Sequence, residues 1–169
     1  MVRIAKLTDY GVVIMAYLAK APNKLFQARE IAAETSIAYP TVSKLLRKLT
    51  KFNLLRSSRG AEGGYQLALS PAKISVVDII RTLEGPIAIT ECSLGDNYCD
   101  NTSHCSLRGP WIQINQVIAN ALESIRLSDL ITPTGTLFSG QKEVRPLRSD
   151  QIPINLSGAN HGNHGHIPS

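Results

Sequence analysis

From Pro40 onward, Val42, Leu45, Leu46 and Leu49 recur at the i, i+3, i+4, i+7 spacing of a helix buried on one side. Ser43, Lys44, Arg47, Lys48 and Lys51 all fall away from that stripe. Proline suits the first position of a helix, where its missing N–H costs nothing. Just before it, Ser36-Ile37-Ala38 reads as a short turn, and Ala28 to Thr35 as a helix with Ile31 and Ala32 inward. Helix, three-residue turn, and helix with a basic outer face is the arrangement whose second helix enters a DNA major groove. A charged outer face alone is also what any solvated helix presents.

The following residues favour the DNA reading. Leu54 to Ser57 and Tyr65 to Leu69 read as two strands, joined by Arg59-Gly60-Ala61-Glu62-Gly63-Gly64. A hairpin directly after a recognition helix is a wing. No Gly-Lys-Ser/Thr follows these glycines, so they do not make a phosphate loop. Between Glu34 and Glu62 there are basic residues and no acidic one. The expected fold is mainly α with a small β-hairpin: a winged helix-turn-helix with a long dimerisation helix. The expected DNA contacts are Thr41, Ser43 and Lys44 toward bases, Arg47 and Lys48 toward phosphates, and Arg59 at the wing tip.

Charge divides the chain the same way. Residues 1–91 carry 13 Lys/Arg against 7 Asp/Glu, whereas residues 92–169 carry 5 against 6. A polyanionic partner is therefore expected for the first part only. Thr8-Asp9 fits a helix start, with helix-spaced apolar positions at Val12, Val13, Met15, Ala16 and Ala19 before Pro22. Ser75 and Asp78 form a capping-box-like pair opening a helix that carries Val77, Ile80 and Leu83 inward and stops at Gly85-Pro86. After Gly109-Pro110, residues Trp111, Ile114, Val117, Ile118, Ala121, Leu122 and Ile125 make a strong apolar stripe, about 27 Å long if residues 110–127 are helical. A second subunit's copy of the same helix would bury it, and a two-fold dimer suits a two-fold operator. The alternative is packing back onto its own domain. The expected organisation is a DNA-binding domain over 1–91, a cysteine loop over 92–107, a dimerisation helix over 108–131, and a disordered tail over 132–169 that ends with His161, His164 and His166.

All three cysteines lie in one polar stretch, Cys92, Cys99 and Cys105, among Asp96, Asn97, Asp100 and His104. Three thiols cannot pair among themselves, which argues against a secreted disulfide scaffold. Buried hydrophobic thiols are the usual case, but no apolar context surrounds these. Zinc could take the three thiols with His104, although structural zinc prefers tighter knuckles. A thiol redox switch needs only two cysteines and an electropositive surround. Loosely spaced thiolates also suit an iron–sulfur cluster completed by a non-cysteine ligand. No catalytic constellation supports an enzyme. Arg3 and Lys6 before the apolar run Val12 to Leu18 imitate a signal peptide, but the run is short and holds Tyr17, with Gly11 before it. No stretch approaches the length of a membrane span, so a cytoplasmic protein is expected.

Several motifs together carry a resemblance over residues 1–131. These are Leu7-Thr8-Asp9-Tyr10, Pro40-Thr41-Val42-Ser43-Lys44-Leu45-Leu46, the wing Arg59-Gly60 to Gly63-Gly64-Tyr65, and the three cysteines. The chain resembles the winged-helix iron–sulfur regulators typified by IscR and NsrR. Glu84-Gly85-Pro86-Ile87 and Thr90-Glu91-Cys92 most resemble the subgroup that regulates the SUF assembly operon. The resemblance implies a homodimer, an iron–sulfur cluster (2Fe-2S or 4Fe-4S) on Cys92, Cys99 and Cys105, and operator binding gated by the cluster, most simply as a repressor of iron–sulfur assembly genes. The chain departs from the IscR pattern at Arg108, where those proteins carry a histidine, and at Ser43, where they carry a glutamate. NsrR-type members use an acidic residue near the N-terminus, donated by the other subunit, and Asp9 stands at the matching place; His104 is the competing fourth ligand.

Overall fold

The computed structural model describes residues 4–60, 62–95, 98–100 and 104–132. The tail from residue 133 onward, with its histidines, lies outside the described residues. In chain order the elements are α1 (Lys6–Ala19), α2 (Ala28–Thr35), α3 (Tyr39–Lys51), β1 (Leu55–Ser58), β2 (Gly64–Leu67), α4 (Val76–Glu84), α5 (Arg108–Ser124) and α6 (Leu127–Ile131).

One core joins α1 to α4 and the hairpin. Val42, Leu45, Leu46 and Leu49 of α3 are all buried in it, as the stripe predicts. Ile31 of α2 is buried and Ala32 packs against the core. Strands β1 and β2 pair antiparallel, with Leu55 opposite Leu67 and Ser58 opposite Gly64. Phe26 adds a one-residue third edge: Phe26 N donates to Tyr65 O and Tyr65 N to Phe26 O, both at 2.9 Å. A side chain at position 64 would put its Cβ 2.7 Å from Phe26 O, so this edge requires Gly64, the last of the wing glycines.

At α1 the structure corrects the expected start. The helix begins at Lys6 with Ala5 at its N-cap, three residues before the expected cap, and Thr8 does not cap it. Thr8 lies in the first turn, 1% exposed, while Glu84 at the end of α4 does the capping: its Oε1 accepts from Ala5 N at 3.1 Å. A carboxylate beside the positive end of a helix is favourable whichever element supplies it. The buried face also differs from the expected one. It consists of Gly11, Ile14, Met15, Leu18 and Ala19, whereas Val13 is exposed. Almost every residue from Val12 to Ala19 is apolar, so hydropathy leaves the helix phase undefined. Packing defines it: a Cβ on Gly11 would overlap Leu83 of α4.

Helix α4 begins as predicted. Ser75 Oγ accepts from Asp78 N at 3.1 Å and Ser75 N donates to Asp78 Oδ2 at 2.8 Å. Beyond the cysteines the expected helical segment 108–131 divides. Helix α5 ends at Ser124 and Ile125 is extended. Val76 N donates to Ile125 O at 3.0 Å and Leu127 N to Ile74 O at 2.8 Å, so the backbone here forms a short bridge to the start of α4. Helix α6 then returns to α1, with Leu127 fully buried. The cysteine loop is not wholly irregular either, since Glu91–Ser93 forms a single 3-10 turn containing Cys92.

Gly11→Val should lower the free energy of unfolding by about 1–3 kcal/mol, the usual cost of overpacking. Urea denaturation measures it, and Leu83→Ala in the same chain should restore part of the loss. Additive losses in the double variant would show that the two positions do not share one space.

Candidate functional site

The outer face of α3 is an open groove of about 820 Å³ lined by Tyr39, Pro40, Ser43, Lys44, Arg47, Lys48, Lys51 and Phe52. Four of these side chains are cationic, and at the two ends Tyr39 and Phe52 are 48% and 53% exposed. Packing Leu45, Leu46 and Leu49 inward leaves this face to solvent and so places the charges. Ser43, Lys44, Arg47 and Lys48 thus share one surface. Thr41 is half-buried and outside the groove lining, and Arg59 is exposed on the hairpin connection.

Lys48 has a second attachment. Its Nζ donates to Leu83 O at 2.8 Å, tying α3 to the last turn of α4. That lysine stands over the negative end of a helix, where a cation is favourable. The sequence reading missed the aromatics: Tyr39 receives the Arg29 guanidinium of α2 at 6.0 Å from its ring centre. Aromatic residues at both ends of a basic helix were the available signal.

The cysteines occupy the connection between α4 and α5. Cys92 sits on the 3-10 turn, its Sγ 3.1 Å from Thr90 Oγ1, which in turn lies 3.0 Å from Ser93 Oγ. Cys92, Cys99 and Cys105 are all half-buried and no disulfide joins them, whereas His104 is exposed. Three soft thiolates are the donor chemistry that zinc and iron–sulfur clusters take. Among the described residues, however, no three His, Cys, Asp or Glu side chains converge as a metal-binding group. Asp9 is exposed in a separate groove of about 470 Å³ beside Lys6, Val12, Val76, Ile80 and Ile125, whose lining includes no cysteine. Within one chain, Asp9 and the thiols are not brought together.

Helix α5 has two dissimilar sides. Ala119 is buried, and Asn115 and Leu122 on the same side are half-buried. Trp111, Ile114, Val117 and Ile118 are exposed, Val117 by 68%. The stripe therefore splits: Leu122 belongs to the inner side and Val117 to the outer. Asn115, a polar residue inside an apolar stripe, was the visible sign of something the sequence reading did not use.

The profile of the Rrf2 family, described as iron-dependent transcriptional regulators, matches residues 4–133. The chain belongs to the Rrf2 family. It is a DNA-binding transcriptional regulator and not an enzyme. It is similar to the regulator NsrR of Halalkalibacterium halodurans, 28% identical over 132 residues that cover 77% of this chain and 90% of that one. It is also similar to CymR of Bacillus subtilis, 35% identical over 136 residues, 78% of this chain and 91% of the relative. A solved CymR structure, described as the global cysteine regulator of that organism, agrees with a TM-score of 0.63 over 78% of this chain and 97% of that one. The T. potens IscR structure agrees with a TM-score of 0.60 at 30% identity, over 83% and 94% respectively. These neighbours share the winged-helix architecture found here. No described helix is long and apolar enough to cross a membrane.

Proposed function

We propose that this Rrf2-family regulator is a homodimeric repressor of iron–sulfur assembly genes that senses iron–sulfur or oxidant status through a cluster held at its cysteine loop. The observation carrying this reading is the gathering of all three cysteines, half-buried, into the connection that joins the reader domain to α5. Cys92, Cys99 and Cys105 would be the thiolate ligands, with Asp9 of the partner subunit as the fourth. A bound cluster would supply a group whose integrity depends on iron and oxidants. The chain's own residues hold the loop against α5 and present the basic groove to DNA, and the protein would act in the cytoplasm. Asp9 is exposed and its groove is lined by no cysteine of its own chain, so as a ligand it would have to be donated across a dimer.

A second reading has an observation of its own. The described thiols do not converge, which a thiol-oxidation switch does not require, and the chain is similar to CymR (35% identical) as well as to NsrR (28%); the loop would then act by thiol oxidation or, failing that, hold zinc. Anaerobic purification with an absorption spectrum and metal analysis separates the two. Iron and sulfide with visible charge-transfer bands support the cluster; a colourless protein with one zinc per chain, or no metal, removes it. Given a cluster, Asp9→Ala should shorten its lifetime and His104→Ala should not. The reverse pattern would transfer the fourth position to His104.

On DNA, Arg47 and Lys48 supply charge to the phosphates, Arg59 does so from the wing tip, and Thr41, Ser43 and Lys44 face the bases. Arg47→Ala should weaken binding to all duplexes alike and reduce the log–log salt slope by about 1. Lys48→Ala should do the same and also lower the urea midpoint, because its tie to Leu83 O is lost. Titrations at several salt concentrations read both; a sequence-selective loss at Arg47 would contradict the phosphate role.

The dimer is carried by the outer side of α5. Ile114→Glu with Val117→Glu should convert the dimer to monomer in sedimentation velocity with unchanged helix content, since buried unpaired charge is costly. A persistent dimer would move the interface elsewhere.

A further inference from the structure

Asn115 makes an uncommon pair of hydrogen bonds for a residue in mid-helix. Its Oδ1 accepts from Ile89 N at 3.1 Å and its Nδ2 donates to Ile87 O at 3.0 Å. One side-chain amide thus satisfies a donor and an acceptor on alternate residues of another segment, as a neighbouring strand would. Residues 86–90 belong to no helix or strand and follow the end of α4 at Glu84. Such a segment has no regular partners for its backbone groups, and leaving them unpaired when half-buried is costly. The segment ends at Thr90, whose hydroxyl lies 3.1 Å from Cys92 Sγ. An unbroken run of contacts therefore leads from α5 through Asn115, Ile89 and Thr90 to the first thiol of the loop.

We infer that Asn115 is a positioning residue for Cys92: it fixes the backbone at Ile87 and Ile89 to α5, and so fixes where the Thr90–Cys92 pair stands relative to that helix. Neither bond involves a metal or DNA. The inference deepens the proposed sensing site and rests on that reading only for its meaning in regulation, since the fixing of Cys92 is a property of the chain alone. Alanine at position 115 removes both bonds. Aspartate keeps the acceptor for Ile89 N and loses the donor to Ile87 O, so its effect should be intermediate.

The test uses the full chain, reduced and stripped of metal. Amide exchange at Ile89 and the pH profile of N-ethylmaleimide labelling are followed at Cys92 and Cys105 by mass spectrometry. In Asn115→Ala, Ile89 exchange should rise roughly tenfold or more, as expected when a local opening loses two hydrogen bonds. The labelling profile of Cys92 should be displaced and that of Cys105 unchanged. Exchange that rises at Ile89 with an unaltered Cys92 profile would reduce Asn115 to a local packing contact and overturn the inference; unaltered Ile89 exchange would overturn it too. Should the alanine variant not fold, Asn115→Asp carries the same two readouts. A separate arm reconstitutes wild type and variant with ferrous iron and sulfide under anaerobic conditions. Faster loss of the visible bands in Asn115→Ala extends the result to the cluster. If wild type takes up no iron, the sensing proposal fails while the labelling result still decides the role of Asn115.

Discussion

The last turn of α4 is the point on which the rest of the molecule is assembled. Leu83 fills the space that Gly11 leaves open on α1, which sets the phase of that helix. The carbonyl of the same residue receives Lys48 from α3, and the next carboxylate, Glu84, receives the first amide ahead of α1. Three elements thus meet within two residues. None of these contacts is strong alone: a single hydrogen bond contributes about 1 kcal/mol net. Their value is geometric, because they fix α1 and the reader helix against the element that leads into the cysteine loop.

The parts of this fold that were legible in the sequence are those where one periodicity dominates. Helix α3 alternates leucine and lysine so regularly that only one face can be buried, and Ser75 with Asp78 declares the start of α4. The misreadings share a cause as well. Along α1 nearly every position from Val12 to Ala19 is apolar, so no local pattern distinguishes Val13 from Ile14; Gly11, 72 residues from its partner Leu83, does. Thr8 was a reasonable cap by type, but the cap came from a distant glutamate. The break at Ile125 is likewise invisible locally, since the extended backbone there is held by Ile74 and Val76.

The candidate site was legible by residue type and not by arrangement. Basic residues on α3 had to be together because one helix face carries them all. The three cysteines are near in sequence, but a loop has no period, and nothing local fixes where its thiols point. Spacing alone does not distinguish zinc, an iron–sulfur cluster and a redox pair, because thiolates serve all three and only their arrangement in space differs. Asn115 went unread because its partners are backbone atoms, which no residue pattern advertises.

Helix α5 is attached to the reader domain at two places along its length, by Asn115 toward its first half and by the backbone bridge around Ile125 after its end. A rod pinned at two points cannot swivel about either. In a two-fold pair built on the outer side of this rod, the angle between the two recognition helices would be inherited from the rod rather than adjusted by a flexible neck. Such a pair would accept operators whose half-sites fall on the same side of the double helix and reject those in which a few inserted base pairs rotate one half-site away.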